Sequence, residues 1–391
     1  MSKTVVVLGA GTGGVAAAER LRSNLPPSDQ VVLVDRSFTG SLGLSSLRVL
    51  RGWRTPAEVV RTVRPDALPG VSLVTGEVVD VDTAARVVHY RGSDPGAISY
   101  DGLVVALGAT LNTTAVPGLD AALASGVASE FYSAAGAAEL HRRIDGLASG
   151  RIVVLITALP FKCPPAPYEA AFLIADQLGE RFTSGAVRVD VITCEPRPIG
   201  VARPEVGKAV VGMLRGNGIG FHAEKVTRAV DPEARTIEFA DGGTESFDLL
   251  AAVPPHSSPA AAVLPGMVNA GGWIPVDPAT LATGTPGVWA VGDNTVVPLA
   301  HGMPLPKAGI FADGAAVVAA DQLARYLGYD APDSRFTAEG GCLMVVSSGL
   351  AAKIAGRFLA APEPLIGFYG PSDAFFTEKE EQERDWLTRW G

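Results

Sequence analysis

The feature that most constrains the fold is a strand, a glycine turn and a helix at the beginning of the chain. Residues 5–8 are an apolar run typical of a buried strand, and a second such run, 31–34, ends at the acidic Asp35. The turn after the first run carries three glycines at the GxGxxG spacing: Gly9, Gly11 and Gly14. In a dinucleotide-binding unit, such glycines let the backbone approach a pyrophosphate, and an acid after the second strand binds a ribose hydroxyl. The sequence therefore predicts a dinucleotide site here.

A second strand, loop and helix have the opposite loop composition. Residues 152–156 predict a buried strand and residues 169–178 a helix, but the loop between them, 158–167, has four prolines and no glycine. Because proline has no N–H group, the loop offers a pyrophosphate few donors, and we predict that it does not bind a nicotinamide dinucleotide. It carries Cys163 instead, beside Lys162 and a helix N-terminus, where positive charge and the helix dipole favour a thiolate.

The composition excludes several other classes of protein. A chain of 391 residues is too long for one core, which predicts two or three domains, and a net charge of −9 argues against a nucleic acid partner. No apolar run has transmembrane length and no signal peptide precedes the first strand, so we expect a cytoplasmic protein, at most peripheral on the inner face of the plasma membrane. Three distant cysteines without a CxxC pair indicate neither a disulfide framework nor a metal site.

Two further segments look like motifs of flavoproteins with two dinucleotide-binding domains. Residues 100–109 predict a strand with an exit of small residues that includes Gly108, and this block is similar to their second flavin motif; residues 288–293 are similar to the third. In that superfamily the acid of the third motif bonds the flavin ribityl chain, so Asp293, after Gly292, is the candidate here. The alternative is an ordinary turn at the end of a strand, because Gly-Asp pairs form turns.

A long helix is predicted over residues 310–327, directly after Gly309. Its N-terminus, next to the third motif, would stabilise negative charge on a reduced flavin ring. Lys307 would add positive charge at this place, although a lysine at a helix start is equally ordinary.

With these motifs, the whole chain resembles the sulfide:quinone oxidoreductase and flavocytochrome c sulfide dehydrogenase family. The resemblance rests on the glycine turn, the flavin motifs, the loop 161–169, residues 305–309 and Cys342. It implies an α/β fold of two Rossmann-like domains of the glutathione reductase type, with FAD as cofactor. The expected division is a FAD-binding domain over 1–112 and 256–335, a second domain inserted over 113–255, and a C-terminal region over 336–391.

The resemblance also implies a mechanism. Family members hold two redox cysteines on one face of the flavin, and Cys163 and Cys342 match them. Sulfide, or a related small sulfur nucleophile, would attack a disulfide of this pair, joined directly or through extra sulfur, because a disulfide sulfur is the natural electrophile for hydrosulfide. Electrons would pass through the flavin to a quinone or another acceptor. Glu169 matches a family glutamate and could move protons; otherwise it is an acid that serves the helix dipole.

The chain departs from the family pattern in two respects. A third cysteine found in many sulfide:quinone enzymes has no counterpart in residues 111–140, and relatives with two cysteines are exported, whereas no export signal is visible. Histidines near the sulfur site of some relatives have no match after Thr193, where we interpret Cys194 as a structural residue. Two alternatives stay open: a type II NADH dehydrogenase or NADH-linked disulfide reductase, and a non-catalytic flavoprotein redox sensor.

Three local predictions concern a set of short strands in the first half of the chain and the C-terminal residues. Residues 71–76, 77–81 and 86–90 predict three short antiparallel strands. Residues 368–376 are aromatic and predict a loop, and residues 378–390 predict a charged helix. Three apolar residues of this helix lie on or near one face, which would pack on the protein itself, on a homodimer partner or on a membrane: Trp386, Leu387 and Trp390.

Overall fold

A parallel sheet forms the centre of the first unit. The structure, a computed structural model, describes residues 2–390 and, at residue 390, the backbone only. Five parallel strands lie in the order Val288–Ala290, Gly102–Val105, Thr4–Leu8, Gln30–Asp35 and Ser72–Thr75. The central run Val5 to Leu8 is completely buried, as expected for a strand covered on both faces. Helices Thr12–Asn24 and Gly309–Tyr326 pack against each other beside this sheet.

A second parallel sheet of the same kind forms the second unit. Its strands lie in the order Ala128–Glu130, Leu249–Val253, Gly150–Ile156, Val187–Thr193 and Gly220–His222. The longer helices of this unit are Ala134–Gly146, Ala166–Leu178 and Pro204–Gly216. The predicted fold class, two Rossmann-like units with the second inserted in the first, is confirmed.

The chain passes between the two units along one short antiparallel pair. Thr110–Leu111 leads into the second unit, and His256–Ser257 returns beside it. We propose that the domain boundaries lie at this pair, near residues 112 and 255, with a third boundary near residue 335.

The C-terminal region is an antiparallel sheet followed by a helix. Its strands are Glu339–Ser347, Leu350–Arg357 and Leu365–Ser372, and the helix, here called the tail helix, is Asp373–Trp390. The prediction of a loop over 368–376 is therefore wrong. The strand Leu365–Ser372 contains Gly367, Gly370 and Pro371, which are tolerated because it is an edge strand.

The tail helix packs on the protein's own surface. Trp386 and Leu387 are half-buried, and Trp386 contacts the hydrophobic core. Phe376, in the first turns of this helix, meets the ring of Trp53 edge to face. The predicted contribution of Trp390 lies outside the side chains that the structure describes.

Two other boundaries differ from the predictions. Ser72–Thr75 joins the first sheet in parallel, whereas the antiparallel strands are Glu77–Asp82, Val87–Arg91 and Gly96–Ser99. Short apolar runs look alike in both pairings, so the sequence could not separate them. The helix predicted from residue 169 begins at Ala166, because proline is tolerated in a first helical turn, whose N–H groups have no partner within the helix.

The remaining elements are short connections. Small antiparallel sheets pair Thr39–Ser41 with Val60–Thr62, and Thr227–Asp231 with Thr236–Phe239 and Thr244–Ser246. The other α-helices are Gly43–Leu50, Pro56–Val59, Leu119–Ser125, Glu180–Thr183 and Ala260–Val263. Within residues 2–390, no helix combines the length and the apolar character that crossing a bilayer requires.

Candidate active site

The glycine turn is shaped partly by packing and partly by open space. Gly9 has a φ of +94°, and a Cβ atom there would lie 2.5 Å from the carbonyl oxygen of Ala106. A Cβ atom on Gly14 would lie 1.7 Å from the carbonyl oxygen of Gly9. Around Gly11, in contrast, no heavy atom would lie within 4 Å of an added Cβ atom. The turn therefore leaves room at Gly11, where a pyrophosphate needs close approach to the backbone.

Asp35 ties the end of its strand to this turn. Its carboxylate accepts hydrogen bonds from the backbone N–H of Ala10 at 2.9 Å, Ser37 at 2.9 Å and Phe38 at 2.8 Å. The side chain is half-buried at the carboxyl end of the sheet. This is the position expected for a ribose-binding acid.

The second and third motifs are joined by a residue that sequence reasoning missed. Asn294, fully buried, accepts a hydrogen bond from the N–H of Gly108 at 3.1 Å and donates one to Val105 at 3.3 Å. Its only sequence signal is its place directly after Asp293. Burial raises the pKa of Asp293, while the charges of Lys162 and, less strongly, Lys307 lower it.

Lys307 anchors the start of the long helix to the third motif. Its ammonium donates hydrogen bonds to the carbonyl oxygens of Asp293 at 2.7 Å and Thr295 at 3.0 Å, and lies 3.5 Å from the ring centroid of Trp273. Burial lowers the pKa of Lys307 to about 8. Among the contacts of the described residues, the ammonium bonds two backbone carbonyl oxygens, and its positive charge lowers the pKa of Asp293.

The loop that carries Cys163, residues 158–167, is hydrogen-bonded to the backbone of Lys307. The N–H of Cys163 donates to the carbonyl oxygen of Lys307 at 2.6 Å, and the N–H of Ala166 donates to the carbonyl oxygen of Cys163 at 2.8 Å. Cys163 has a φ of +56°, a left-handed conformation that costs a non-glycine residue roughly 1–3 kcal/mol. The surrounding hydrogen bonds hold it there.

Cys163 and Cys342 are brought together although they come from distant segments. Both are free thiols, and each acts most strongly on the pKa of the other. The interaction with the Cys342 thiol raises the pKa of Cys163 well above its usual value, and burial raises it further. The interaction with the Cys163 thiol lowers the pKa of Cys342; burial opposes this shift, and the charge of Lys379 supports it.

The prediction that Lys162 and the helix N-terminus favour a thiolate at Cys163 is therefore wrong. The ammonium of Lys162 lies 5.7 Å from the ring centroid of Tyr132. The N–H of Ala166, at the start of the helix, is already bonded to the Cys163 carbonyl oxygen. The charge of Lys379, which comes from the tail helix, lowers the pKa of Cys342.

Glu169 lies beside the cysteine pair in a buried ion pair. Its carboxylate accepts a short hydrogen bond from Lys379, and the side chains are 2% and 3% exposed. Burial raises the pKa of Glu169, and Lys379 opposes the shift. Lys379 was missed because residues 378–390 look like a solvated charged helix. The available signal is that it lies on the same helical stripe as Phe376, Glu383 and Trp386.

A second buried carboxyl lies at the end of the strand Val187–Thr193. Glu195 accepts a short hydrogen bond from Tyr168 and one from Thr193 at 3.3 Å. Burial raises its pKa to about 7. Neighbouring Cys194 is half-buried, and burial raises its pKa to about 11, which makes it a poor nucleophile.

Comparisons with known proteins agree with this arrangement. Residues 3–154 match the family model for pyridine nucleotide-disulphide oxidoreductases. Residues 137–254, which include the proline loop and Cys163, match the model for the central part of the flavoprotein chain of flavocytochrome c sulfide dehydrogenase. Both matches agree with the resemblance to the sulfide:quinone oxidoreductase and flavocytochrome c sulfide dehydrogenase family.

Two curated relatives are matched over the same share of their length. The mitochondrial sulfide:quinone oxidoreductase of Mus musculus is 23% identical over 302 residues, which are 75% of this chain and 66% of that protein. A type II NADH:quinone oxidoreductase of Mycobacterium tuberculosis is 25% identical over 75% of this chain and 66% of its own. The chain thus spans slightly less than two thirds of these curated relatives.

A solved structure extends the similarity in fold to the whole chain. The sulfide:quinone oxidoreductase of Aquifex aeolicus matches with a TM-score of 0.83 and 20% identity, over 99% of this chain and 91% of that one. The matched families imply FAD as the cofactor. The open space at Gly11 and Gly108 fits such a group, because an added Cβ atom would meet no heavy atom within 4 Å at either position.

Proposed function

We propose that this protein oxidises sulfide, or a related small sulfur nucleophile, through Cys163 and Cys342 and passes the electrons through FAD to a quinone. The observation that carries the proposal is that these two thiols, from distant segments, lie close enough to shift each other's pKa. The backbone of Cys163 is bonded to Lys307, beside the third flavin motif.

We propose that FAD is held by residues at the carboxyl ends of the first sheet and at the starts of its two long helices. Gly13 and Gly292 support this geometry, because added Cβ atoms there would lie 3.6 Å and 3.2 Å from the Cβ atom of Ala312, in the first turn of the second helix. The proposed FAD-binding residues are Gly9, Gly11, Gly14, Asp35, Gly108, Gly292, Asp293, Lys307 and Gly309.

The reaction starts from a disulfide between the two cysteines. Hydrosulfide attacks one sulfur and forms a persulfide there; the old S–S bond breaks, and its electron pair stays on the other sulfur as a thiolate. This thiolate then bonds to the outer persulfide sulfur, giving a trisulfide and releasing one proton and two electrons. FAD, when bound, accepts those two electrons.

Glu169 is proposed to receive or deliver the proton. Its carboxyl is buried next to the pair, and burial raises its pKa, which brings a carboxylic acid nearer to the range useful in proton transfer. Lys379 opposes that shift through its charge and its short hydrogen bond.

The acceptor is proposed to be a quinone, as the names of the relatives from mouse and Aquifex aeolicus suggest for those proteins. A membrane quinone would require peripheral contact with a membrane, and we propose the inner face of the plasma membrane. Reduction of a short-chain quinone by the sulfide-reduced protein tests the acceptor, and flotation with lipid vesicles tests the contact.

The proposal is tested by anaerobic titration of the oxidised protein with sulfide while flavin absorbance is followed. The expected result is bleaching in the wild type and its loss in Cys163→Ser and Cys342→Ser. Bound FAD should persist in both variants, because neither residue contacts a phosphate or ribose motif. Cys194→Ser is the matched control and should bleach as the wild type does.

Two results would redirect the proposal. Bleaching that survives in both serine variants would remove the cysteine pair from the reaction. Bound FAD without bleaching by any small sulfur nucleophile would support the non-catalytic redox sensor. The NADH-linked alternative has less support, because the N–H groups of Cys163, Ala166 and Glu169 are already bonded to backbone carbonyl oxygens.

A further inference from the structure

A cavity of about 330 Å³ lies between the tail helix and the segment 54–61. This volume is within the usual range of small-molecule sites. None of the residues that line it belongs to the proposed flavin site or to the thiol site, so the cavity is separate from both. The lining residues that matter here are Arg54 and Arg61 from the segment, and Glu380, Glu383, Arg384 and Leu387 from the tail helix.

The two carboxylates of the cavity are already engaged by arginines. The side chain of Glu383 is 1% exposed, and its carboxylate lies 3.2 Å from Nε of Arg48 and 3.2 Å from Nη2 of Arg54. The carboxylate of Glu380 lies 3.5 Å from Nη1 of Arg48. Arg54 also donates a hydrogen bond to the carbonyl oxygen of Trp53 at 3.0 Å. These contacts neutralise both acids and hold the guanidinium of Arg54 in place.

Two more arginines of the cavity have no acidic partner. Arg61 is half-buried and donates a hydrogen bond to the carbonyl oxygen of its neighbour Val60 at 2.9 Å, whereas Arg384 is exposed. Neither guanidinium forms an ion pair within the part of the chain that the structure describes. With Arg48 and Arg54, four arginines therefore meet two carboxylates, which leaves an excess of two positive charges. An anion in the cavity would reduce the repulsion between these charges.

We propose that this cavity binds a phosphate group, whose oxygens accept hydrogen bonds from the guanidinium groups of Arg54, Arg61 and Arg384. A phosphate monoester has close to two negative charges at neutral pH and several acceptor oxygens, which matches the excess charge and the donors. A carboxylate would balance only one of the two charges. Guanidinium groups bind phosphate oxygens in pairs, because their donors form a planar fork. The ligand joins the tail helix to the segment 54–61 and stabilises the docking of that helix.

Isothermal titration calorimetry of the FAD-loaded protein with inorganic phosphate tests the site. The loaded protein is used so that phosphate does not enter the flavin site, and sodium chloride keeps the ionic strength constant. Binding should weaken at least about tenfold in the double variant Arg61→Gln/Arg384→Gln, because charge-assisted hydrogen bonds from both residues are lost. The double variant Arg61→Lys/Arg384→Lys, which keeps the charge but not the paired donors, should bind with intermediate affinity.

Two control proteins separate a local site from an effect of total charge. Arg215 and Arg228 are exposed on the second unit and form no ion pair among the described residues. Arg215→Gln/Arg228→Gln therefore removes the same charge elsewhere and should bind phosphate as the wild type does. Glu380→Gln removes a negative charge from the cavity and should strengthen binding by about threefold. Equal losses in the two glutamine double variants, or weaker binding in Glu380→Gln, would overturn the proposal.

A second test identifies the source of the phosphate group, which is either a soluble phosphate monoester or the headgroup of an anionic phospholipid. Flotation compares vesicles of phosphatidylcholine with vesicles of equal parts phosphatidylcholine and phosphatidic acid. Retention on the acidic vesicles that is lost in Arg61→Gln/Arg384→Gln supports a lipid headgroup, and binding of inorganic phosphate without such retention supports a soluble ligand.

The proposal is overturned if neither inorganic phosphate nor the acidic vesicles bind in a way that depends on Arg61 and Arg384. These measurements use no sulfide and no cysteine variant. Their failure would therefore leave the proposed function intact, whereas loss of flavin bleaching by sulfide with normal phosphate binding would reject the proposed function alone.

Discussion

The two parallel units place different chemistry at the same point of the same topology. In the first unit, the loop after the strand Thr4–Leu8 has open space above Gly11. In the second, the loop after the strand Gly150–Ile156 is filled by prolines and holds Cys163 in a left-handed conformation. The loop at the carboxyl end of a parallel strand can thus suit either a phosphate or a redox thiol. A phosphate requires unbonded N–H groups and open space beside the backbone, and only the first loop has the open space.

The two units also differ in the acid at or just after the strand that follows the loop and its helix: Asp35 after Thr4–Leu8, and Glu195 after Gly150–Ile156. Asp35 is half-buried and bonds three backbone N–H groups around the glycine turn. Glu195 is buried, is bonded by Tyr168 from the neighbouring helix, and has a pKa raised to about 7 by burial. Because Glu195 is buried and bonded to Tyr168, we predict that it does not bind a ribose.

The largest expected effect comes from filling the open space of the first loop. Gly11→Val should weaken FAD binding by at least about a hundredfold, or about 3 kcal/mol, because the side chain takes the volume that the pyrophosphate needs. Flavin absorbance per protein after gel filtration measures it. Gly212→Val, at an exposed helical glycine with similar open space, is the control. A folded Gly11→Val protein as yellow as the wild type would refute the assignment.

The second expected effect comes from releasing the acid of the second unit. Tyr168→Phe should lower the free energy of unfolding by about 2 kcal/mol, because it removes a buried hydrogen bond to Glu195. Denaturant unfolding measures the change. Tyr100→Phe is the control: its buried hydroxyl has no hydrogen-bond partner among residues 2–390, so its loss should be nearly neutral. Equal losses in the two variants would contradict the role given to Tyr168.

A third effect should appear in the pH dependence of stability. The folded protein should keep a proton on Glu195 up to a pH of about 7, whereas the unfolded chain loses it near the ordinary glutamate value. Stability from this group should therefore be complete at low pH and fall as the pH rises through this window, by up to about 3 kcal/mol. Glu195→Gln should flatten the curve between these pH values. A curve that still falls equally in the variant would assign the slope to other groups.

The smallest expected effect is the response to NADH. The loop 158–167 has no glycine, and the N–H groups of Cys163, Ala166 and Glu169 are already bonded to backbone carbonyl oxygens. NADH should therefore not bleach the flavin on the millisecond timescale. Stopped-flow absorbance with NADH, with sulfide as the positive control, measures this. Fast bleaching would mean that NADH reduces the flavin despite the composition of the second loop, and it would favour the dehydrogenase alternative.

The structure differs from the sequence predictions mainly where pairing or burial decides. Ser72–Thr75 joins a parallel sheet because of where the strand Gln30–Asp35 lies, which its own four residues do not specify. The strand Leu365–Ser372 forms despite two glycines and a proline because it is an edge strand. Neither result follows from local propensity.

The sequence by itself determined the features that depend on local backbone chemistry. The glycine spacing from Gly9 to Gly14 and the absence of glycine in residues 158–167 each have a direct steric meaning, so two Rossmann-like units with different loops could be predicted. Only the tertiary structure decided which charged groups surround the two thiols. Cys163, Glu169, Cys342 and Lys379 come from four separate segments, and charge interactions in a buried site depend on the distances among them and on solvent exclusion.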